Sequence, residues 1–190
     1  MTPDELLTIL TRAAALKTTT RHCYTAEGRQ ESVADHSWRL ALTAMLLTGV
    51  PEFQDVDLDR VIRMCLIHDL GEAFTGDIPT FEKTPDDSSR EDDLFSAWIN
   101  TFPSPQREEW QALLSEMAAQ ESREAKLYKA LDKLEAIVSH NESSLSTWLP
   151  LEYDLQFTYG RESTRFSPYL TALRERIDHQ TRDKIAGSRP

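Results

Sequence analysis

Residues 58–83, LDRVIRMCLIHDLGEAFTGDIPTFEK, decide how this chain folds and where its chemistry sits. At 3.6 residues per turn, Leu58, Val61, Ile62, Cys65, Leu66, Leu70 and Ala73 share one broad face, which predicts a core-facing helix. Asp69 falls in the middle of that apolar face, and His68 lies on its flank. A carboxylate there must be paired, protonated or held by a cation, because burying it alone costs several kcal/mol, roughly speaking. A buried Arg could pair with Asp69 and leave His68 a satisfied core histidine. A divalent cation would serve equally, since His and Asp are both metal-ligand types. Glu72 follows one turn along on the same side, Gly76 ends the helix, and Asp77 is the first residue out of the turn.

The rest of the chain reads almost entirely as helix. Residues 4–16 form an amphipathic opening helix, and residues 17–31, rich in Thr and containing Gly28, lose the period and read as a loop. Ser32-Val-Ala-Asp35 fits a capping box that starts a helix to about Thr48. His36, Leu40, Ala44 and Leu47 share one stripe of it, so His36 points inward. Ser88-x-x-Glu91 is expected to cap a helix over about 89–100, and Ser104-Pro105 to open one reaching about Gln120. A further helix is expected over 121–141, short helical pieces over 142–167, and a final helix from Ser167-Pro168 to about Asp183, with IAGSRP fraying. No run alternates as a strand. The fold class is all-α: six or seven helices around one core, in a single domain over residues 1–190.

Composition narrows the function classes. A net charge of −11 argues against a nucleic-acid polymer or an anionic membrane surface as partner, because both need a basic face. A small phosphate is still within reach if a metal and one or two Arg reverse the field locally. Cys23 and Cys65 offer no disulfide framework, the start MTPDELLTILTRAAALK has acids where a signal peptide would be basic, and no apolar run approaches a membrane span of about 20 residues. A soluble cytoplasmic protein is expected.

His36 on one helix, with His68 and Asp69 on a second, would form a four-ligand set with an Asp from a later helix, and within ALDKLEAIVSH the candidate is Asp132. Periodicity does not support it: Leu127, Leu131, Leu134 and Val138 mark the apolar stripe, and Asp132 lies off it like a solvated acid. The ordered blocks ESVADH, HDLGEAFTGDIP and ALDKLEA resemble the HD-domain metal-dependent phosphohydrolases, in the branch with the 5'-deoxynucleotidases, over about residues 15–140. The resemblance implies that His36, His68, Asp69 and Asp132 bind one divalent metal. It also implies catalytic and substrate-contacting roles for Glu72 and Asp77, a phosphate contact for Arg21, and a homodimer. Family members tend to follow that Arg with Trp, whereas here His22-Cys23-Tyr24 follows.

Two imidazoles and two carboxylates suit Mn, Co, Zn, Fe or Ni. The activity expected is phosphate removal from a (deoxy)nucleoside 5'-monophosphate. The alternatives are a di- or triphosphate pyrophosphohydrolase of the same fold and a non-catalytic nucleotide-binding protein. Few basic residues lie near the motifs (Arg21, Arg29, Arg39 and Lys83), which favours the monophosphate. Arg39 reads as a partner of an acid or a surface charge, Cys65 as a core hydrophobe, and His140 and His179 as surface residues. The DDSSREDD run reads as a solvated loop and helix start, and Trp98, Phe102, Trp110 and Trp148 as core or dimer anchors.

Overall fold

The computed structural model describes residues 1–187. The chain is mostly helical, with a small two-stranded sheet near its start. Helix α1 (Pro3–Ala13) opens on a Thr2–Glu5 capping box and continues into a 3-10 turn over Ala14–Lys17. Strands β1 (Thr20–Tyr24) and β2 (Gln30–Ser32) pair antiparallel where the sequence reading expected a loop. Ser32 then caps α2 (Val33–Leu46) through the expected box with Asp35.

The central stretch departs from one continuous helix. Helix α3 (Leu58–Ile67) stops one residue before His68, a run of turns carries His68–Gly71, and α4 (Glu72–Thr75) adds one more turn before Gly76 at φ 79°. Within the break the backbone bonds shorten to Leu70 N–Ile67 O and Glu72 N–Asp69 O, the tighter 3-10 pattern. Gly71 lets a neighbouring helix close in here: a Cβ on it would stand 2.7 Å from Cγ of Glu91.

That neighbour, α5 (Pro85–Ile99), begins at a Thr84–Asp87 capping box, so Ser88 is not its cap and the whole DDSSREDD run is helical rather than partly loop. Helix α6 (Gln106–Ala119) starts after Pro105 without a side-chain cap from Ser104. Helix α7 (Arg123–Glu142) follows, then short helices α8 (Glu152–Thr158) and α9 (Arg161–Thr164), and α10 (Pro168–Gly187). Of IAGSRP, the first three residues are helical and Ser188, Arg189 and Pro190 lie outside the described residues. Among the described residues, eight helices of seven or more residues and two single turns thus stand where six or seven helices were expected.

Helix α7 is the axle. It touches α2, α3, α6, α9, α10 and β1, so residues nearly all round it are buried, and the core runs from Leu16 to Ile177 across these elements. Trp98, Phe102 and Trp110 stack edge to face inside, 4.9 and 5.1 Å between successive ring centroids. The C-terminal helices are tied down by one buried cation. Arg174, 1% exposed, donates Nε to Asp178 (2.8 Å), Nη2 to the Gln156 carbonyl (2.7 Å) and Nη1 to the Tyr159 carbonyl. Truncating one partner of such a set strands the others without water. Arg174→Ala is expected to lower the unfolding free energy by about 3–5 kcal/mol in a urea titration; a loss below about 1 kcal/mol would deny the arginine that role.

Candidate metal centre and adjoining cleft

Four side chains from three elements converge at the break after α3. His36 Nε2 lies 3.2 Å from His68 Nε2, 3.2 Å from Asp132 Oδ1 and 3.8 Å from Asp69 Oδ2. His68 Nε2 lies 3.0 Å from Asp69 Oδ2 and 3.6 Å from Asp132 Oδ1. Donor atoms held at metal-ligand distances of about 2.1 Å from one centre stand roughly 3.0–3.4 Å apart, and three of these five separations fall in that range, the other two being slightly longer. The break explains why His68 is the more buried of the pair, its side chain 4% exposed against 23% for Asp69, the reverse of what a continuous helix would give.

The protons already placed on the rings make the convergence unfavourable without a cation. His68 Nδ1 lies 2.9 Å from the Cys65 carbonyl, which can only accept, so Nδ1 carries the hydrogen. His36 Nδ1 bonds the Glu135 carboxylate. In neutral rings both Nε2 atoms are therefore lone pairs, facing each other and two carboxylate oxygens. Either protons or a cation must fill the middle. Burial lowers the affinity of His68 for a proton, but Asp69 and Asp132 outweigh it and raise its pKa to about 10. For His36, Asp132 and Glu135 likewise overcome burial and the nearby Arg21 charge. His36, His68 and Asp69 are spaced to share one divalent ion, and Asp132, whose Oδ1 faces both imidazoles, could supply a fourth donor, with Lys129 Nζ 2.8 Å from its other oxygen.

Behind His36 stands a network that the sequence reading missed. Glu135 accepts from His36 with one oxygen and from Arg39 Nε at 2.6 Å with the other. Arg39 also bonds Glu142 and Ser139, and Ser139 Oγ donates to Glu31 at 2.7 Å. Arg39 is therefore a partner of acids. Glu135 was legible: it sits at i+4 from Leu131 and three before Val138, a carboxylate on the core face of α7. Asp132 misled the reading because α7 is covered on several sides, so a residue off the main stripe is still largely covered, its side chain only 13% exposed.

Glu72 is 5% exposed and its Oε2 has no hydrogen-bond partner. Burial, then the charges of Asp69, Asp77 and Glu91, lift its pKa to about 10, so without a cation it holds a proton. Asp77 is also raised, by burial against the opposing pull of Arg21. Arg21 and Asp77 line a cleft next to the four donors, and Arg21 Nη1 reaches only 3.5 Å from Glu31 and Glu135, leaving its fork with capacity. The hairpin arranges this. Between the pairs Thr20↔Ser32 and Tyr24↔Gln30, β1 carries two residues more than β2, a bulge that turns consecutive residues Arg21, His22 and Cys23 toward the cleft. The far wall comes from α7, α8 and the segment after Gly76, with Phe81, Ile137, His140, Glu152, Leu155 and Tyr159. His140 is thus a lining residue rather than a surface one; His179 is exposed as expected, and Cys65 is a buried core residue.

Residues 13–174 match the HD domain family. Human 5'-deoxynucleotidase HDDC2 is 34% identical over 116 residues, which are 60% of this chain and 55% of the human protein, so the chain spans about half the length of that relative. The bovine HDDC2 is 29% identical over 84% of this chain and 77% of its own. Among solved structures, a predicted metal-dependent phosphohydrolase from Magnetospirillum magnetotacticum superposes with TM-score 0.79 at 27% identity, covering 95% of this chain and 93% of that one. The cyanophage S-2L HD phosphohydrolase DatZ shares the fold, with TM-score 0.56 at 22% identity over 94% of this chain and 96% of its own.

Proton occupancy sets a pH dependence for metal-stripped protein. His68 and Glu72 both have folded pKa values near 10, above their ordinary 6.5 and 4.5. The stability that His68 gains from its neighbours is complete below 6.5 and lost as pH rises toward 10, while buried Glu72 opposes folding increasingly above 4.5. The melting temperature of stripped protein should fall between pH 6 and pH 9. Added divalent metal, which competes with those protons, should restore more at pH 8 than at pH 6. A calorimetric series with stability rising over that range would contradict the assignment.

Proposed function

This chain belongs to the HD domain family, and from that premise we propose that it is a metal-dependent phosphomonoesterase releasing phosphate from (deoxy)nucleoside 5'-monophosphates. The observation that carries the reading is the set of four inward donors with no hydrogen left to share among them, beside a cleft that opens on an arginine and two carboxylates. The relatives named 5'-deoxynucleotidase support the substrate class. We take residues 1–190 as one domain, with the metal-site core over about 15–140 and a helical C-terminal part over about 141–183 that closes the cleft.

In this reading His36, His68, Asp69 and Asp132 hold the ion, one of Mn, Co, Zn, Fe or Ni by donor chemistry. When bound, it supplies neutralising charge at the phosphate and acidifies water. Arg21 donates to two phosphate oxygens with its planar fork. Glu72 Oε2, buried and unpartnered, takes a proton from the attacking water. The water oxygen bonds to phosphorus as the bond to O5' breaks, and Asp77 at the cleft mouth delivers the proton that O5' needs. Glu135 and the Cys65 carbonyl hold the two imidazoles in the tautomer that points Nε2 inward. Arg29 is engaged by Asp35 and Arg39 by Glu135 and Glu142, so neither is free for a second or third phosphate, which favours the monophosphate.

The homodimer belongs to the same proposal, at a different place than Trp98, Phe102, Trp110 and Trp148 suggested. Those aromatics are largely internal, whereas a groove between α1, α2 and α3 exposes Leu10 (53%), Trp38 (63%), Met45 (60%) and Leu66 (50%). An apolar patch of this kind is typical of an interface, and a second copy would cover it. Among the described residues no helix is long and apolar enough to cross a membrane, and both cysteines are unpaired, which supports a cytoplasmic setting.

Metal-loaded protein should release phosphate from monophosphates in preference to di- and triphosphates. Glu72→Gln should cut turnover by about 10²–10⁴-fold while metal content stays within twofold of the parent. Release from triphosphates alone would move the assignment to a pyrophosphohydrolase. Silence from every nucleotide, with metal bound, would leave a binding protein. Trp38→Glu should convert a dimer to a monomer in light scattering after gel filtration; an unchanged mass would remove this face as the interface.

A further inference from the structure

The far end of the cleft holds a polar cluster that phosphate chemistry does not use. Glu152 is 3% exposed, its Oε2 accepts from the Leu149 backbone at 2.6 Å, and its Oε1 faces the cleft. His22 Nε2 stands 3.2 Å from that oxygen and His140 Nε2 stands 3.4 Å from it. Two imidazole nitrogens in this cluster, His22 Nε2 and His140 Nδ1, are shut from solvent with no hydrogen-bond partner, the former close to Glu152 but badly aimed. Buried polar atoms of this kind are nearly always satisfied. A ligand in the cleft that brings its own donors and acceptors would supply those partners.

Position says what that is. Asp132, Ala136 and His140 follow one another at intervals of four on α7, so they lie along one line. His140 therefore stands about 12 Å along the axis from Asp132. That is the reach of an extended nucleotide from phosphorus to the outer edge of its base. Between the two ends the walls are apolar and flat-sided: Phe81, whose ring meets that of His22 edge-on at 5.6 Å, with Ile137, Leu155 and Tyr159. Apolar faces and a polar far edge are the complement of a heterocycle that stacks with its faces and hydrogen-bonds with its rim.

Resting on the nucleotidase reading above, we propose that His22, His140 and Glu152 form the base-recognition end of the cleft, with the Glu152 carboxylate accepting from an N–H on the base edge and the imidazoles completing the pattern. The two imidazoles can each donate or accept at either nitrogen, whereas the carboxylate only accepts. Glu152 thus sets the requirement for a donor on the base, and the histidines adapt to its neighbours. His22 is the residue that follows Arg21 on the bulge, so one short segment carries both the phosphate contact and a base contact.

The test compares deoxynucleoside 5'-monophosphates with 2-deoxyribose 5-phosphate, which keeps sugar and phosphate and lacks the base. Wild type, Glu152→Gln and His140→Asn are assayed as full-length, metal-loaded protein. Gln retains an oxygen for the Leu149 amide, and the Trp148 bond to residue 140 is to its backbone, so both variants keep their local structural contacts. The readout is the ratio of kcat/KM for the preferred nucleotide to that for the base-free sugar phosphate. The ratio should fall at least tenfold in Glu152→Gln, through KM, and several-fold in His140→Asn. A ratio within twofold of wild type in both variants overturns the proposal and leaves the nucleotidase reading intact. If wild type hydrolyses neither compound, the nucleotidase reading fails and calorimetry with the four deoxynucleosides decides. Binding weakened tenfold by Glu152→Gln then upholds base recognition, and equal or absent binding overturns it.

Discussion

Two imidazole lone pairs 3.2 Å apart, each within 3.8 Å of two carboxylate oxygens inside a helical core, are the constraint on which the rest of this structure depends. Nothing in that group can donate a hydrogen bond once each ring has given its own to Glu135 or to the Cys65 carbonyl. Folding the chain therefore concentrates acceptor density at one point, and only protons or a cation can relieve it. The fold treats this as a fixed feature. A buried carboxylate behind His36 is itself held by Arg39 and Ser139, and these bonds fix the direction of one ring independently of whatever occupies the centre.

Two departures from regular secondary structure place the remaining groups around that point. The break at His68–Gly71 turns His68 and Asp69 toward the same centre, and Glu72 follows on the next turn with an unpartnered oxygen. The bulge in β1 brings three consecutive residues to one cleft, which a regular strand with its alternation could not do. Helix α7 then runs past both, giving Asp132 and Glu135 to the centre and Ala136, Ile137 and His140 to the cleft. The C-terminal helices complete the wall, and buried Arg174 holds Tyr159 and Gln156, two of its residues, by their carbonyls.

Much of this was legible in the sequence. The capping box at Ser32 and the stripe of His36, Leu40, Ala44 and Leu47 put His36 in the core, and all four are buried. Asp69 on an apolar face announced a compensating group before any fold was known. The hairpin was not legible because its strands are short and its bulge destroys the alternation by which strands are recognised. Asp132 was not legible from periodicity because one apolar stripe describes a helix covered on one side, and α7 is covered on several. Glu135 could have been found by the same argument that found Asp69. The cleft wall from 136 to 159 could not, since it is assembled by packing between distant segments and leaves no local pattern.

The measurement that tests the central claim most directly is a titration of metal back into stripped protein, with metal content and phosphate release from a deoxynucleoside monophosphate read on the same samples. The account predicts that both rise together and saturate at one ion per chain, and that Asp132→Ala loses both. Turnover that persists without metal, or that needs a second ion, would contradict a single centre built from His36, His68, Asp69 and Asp132.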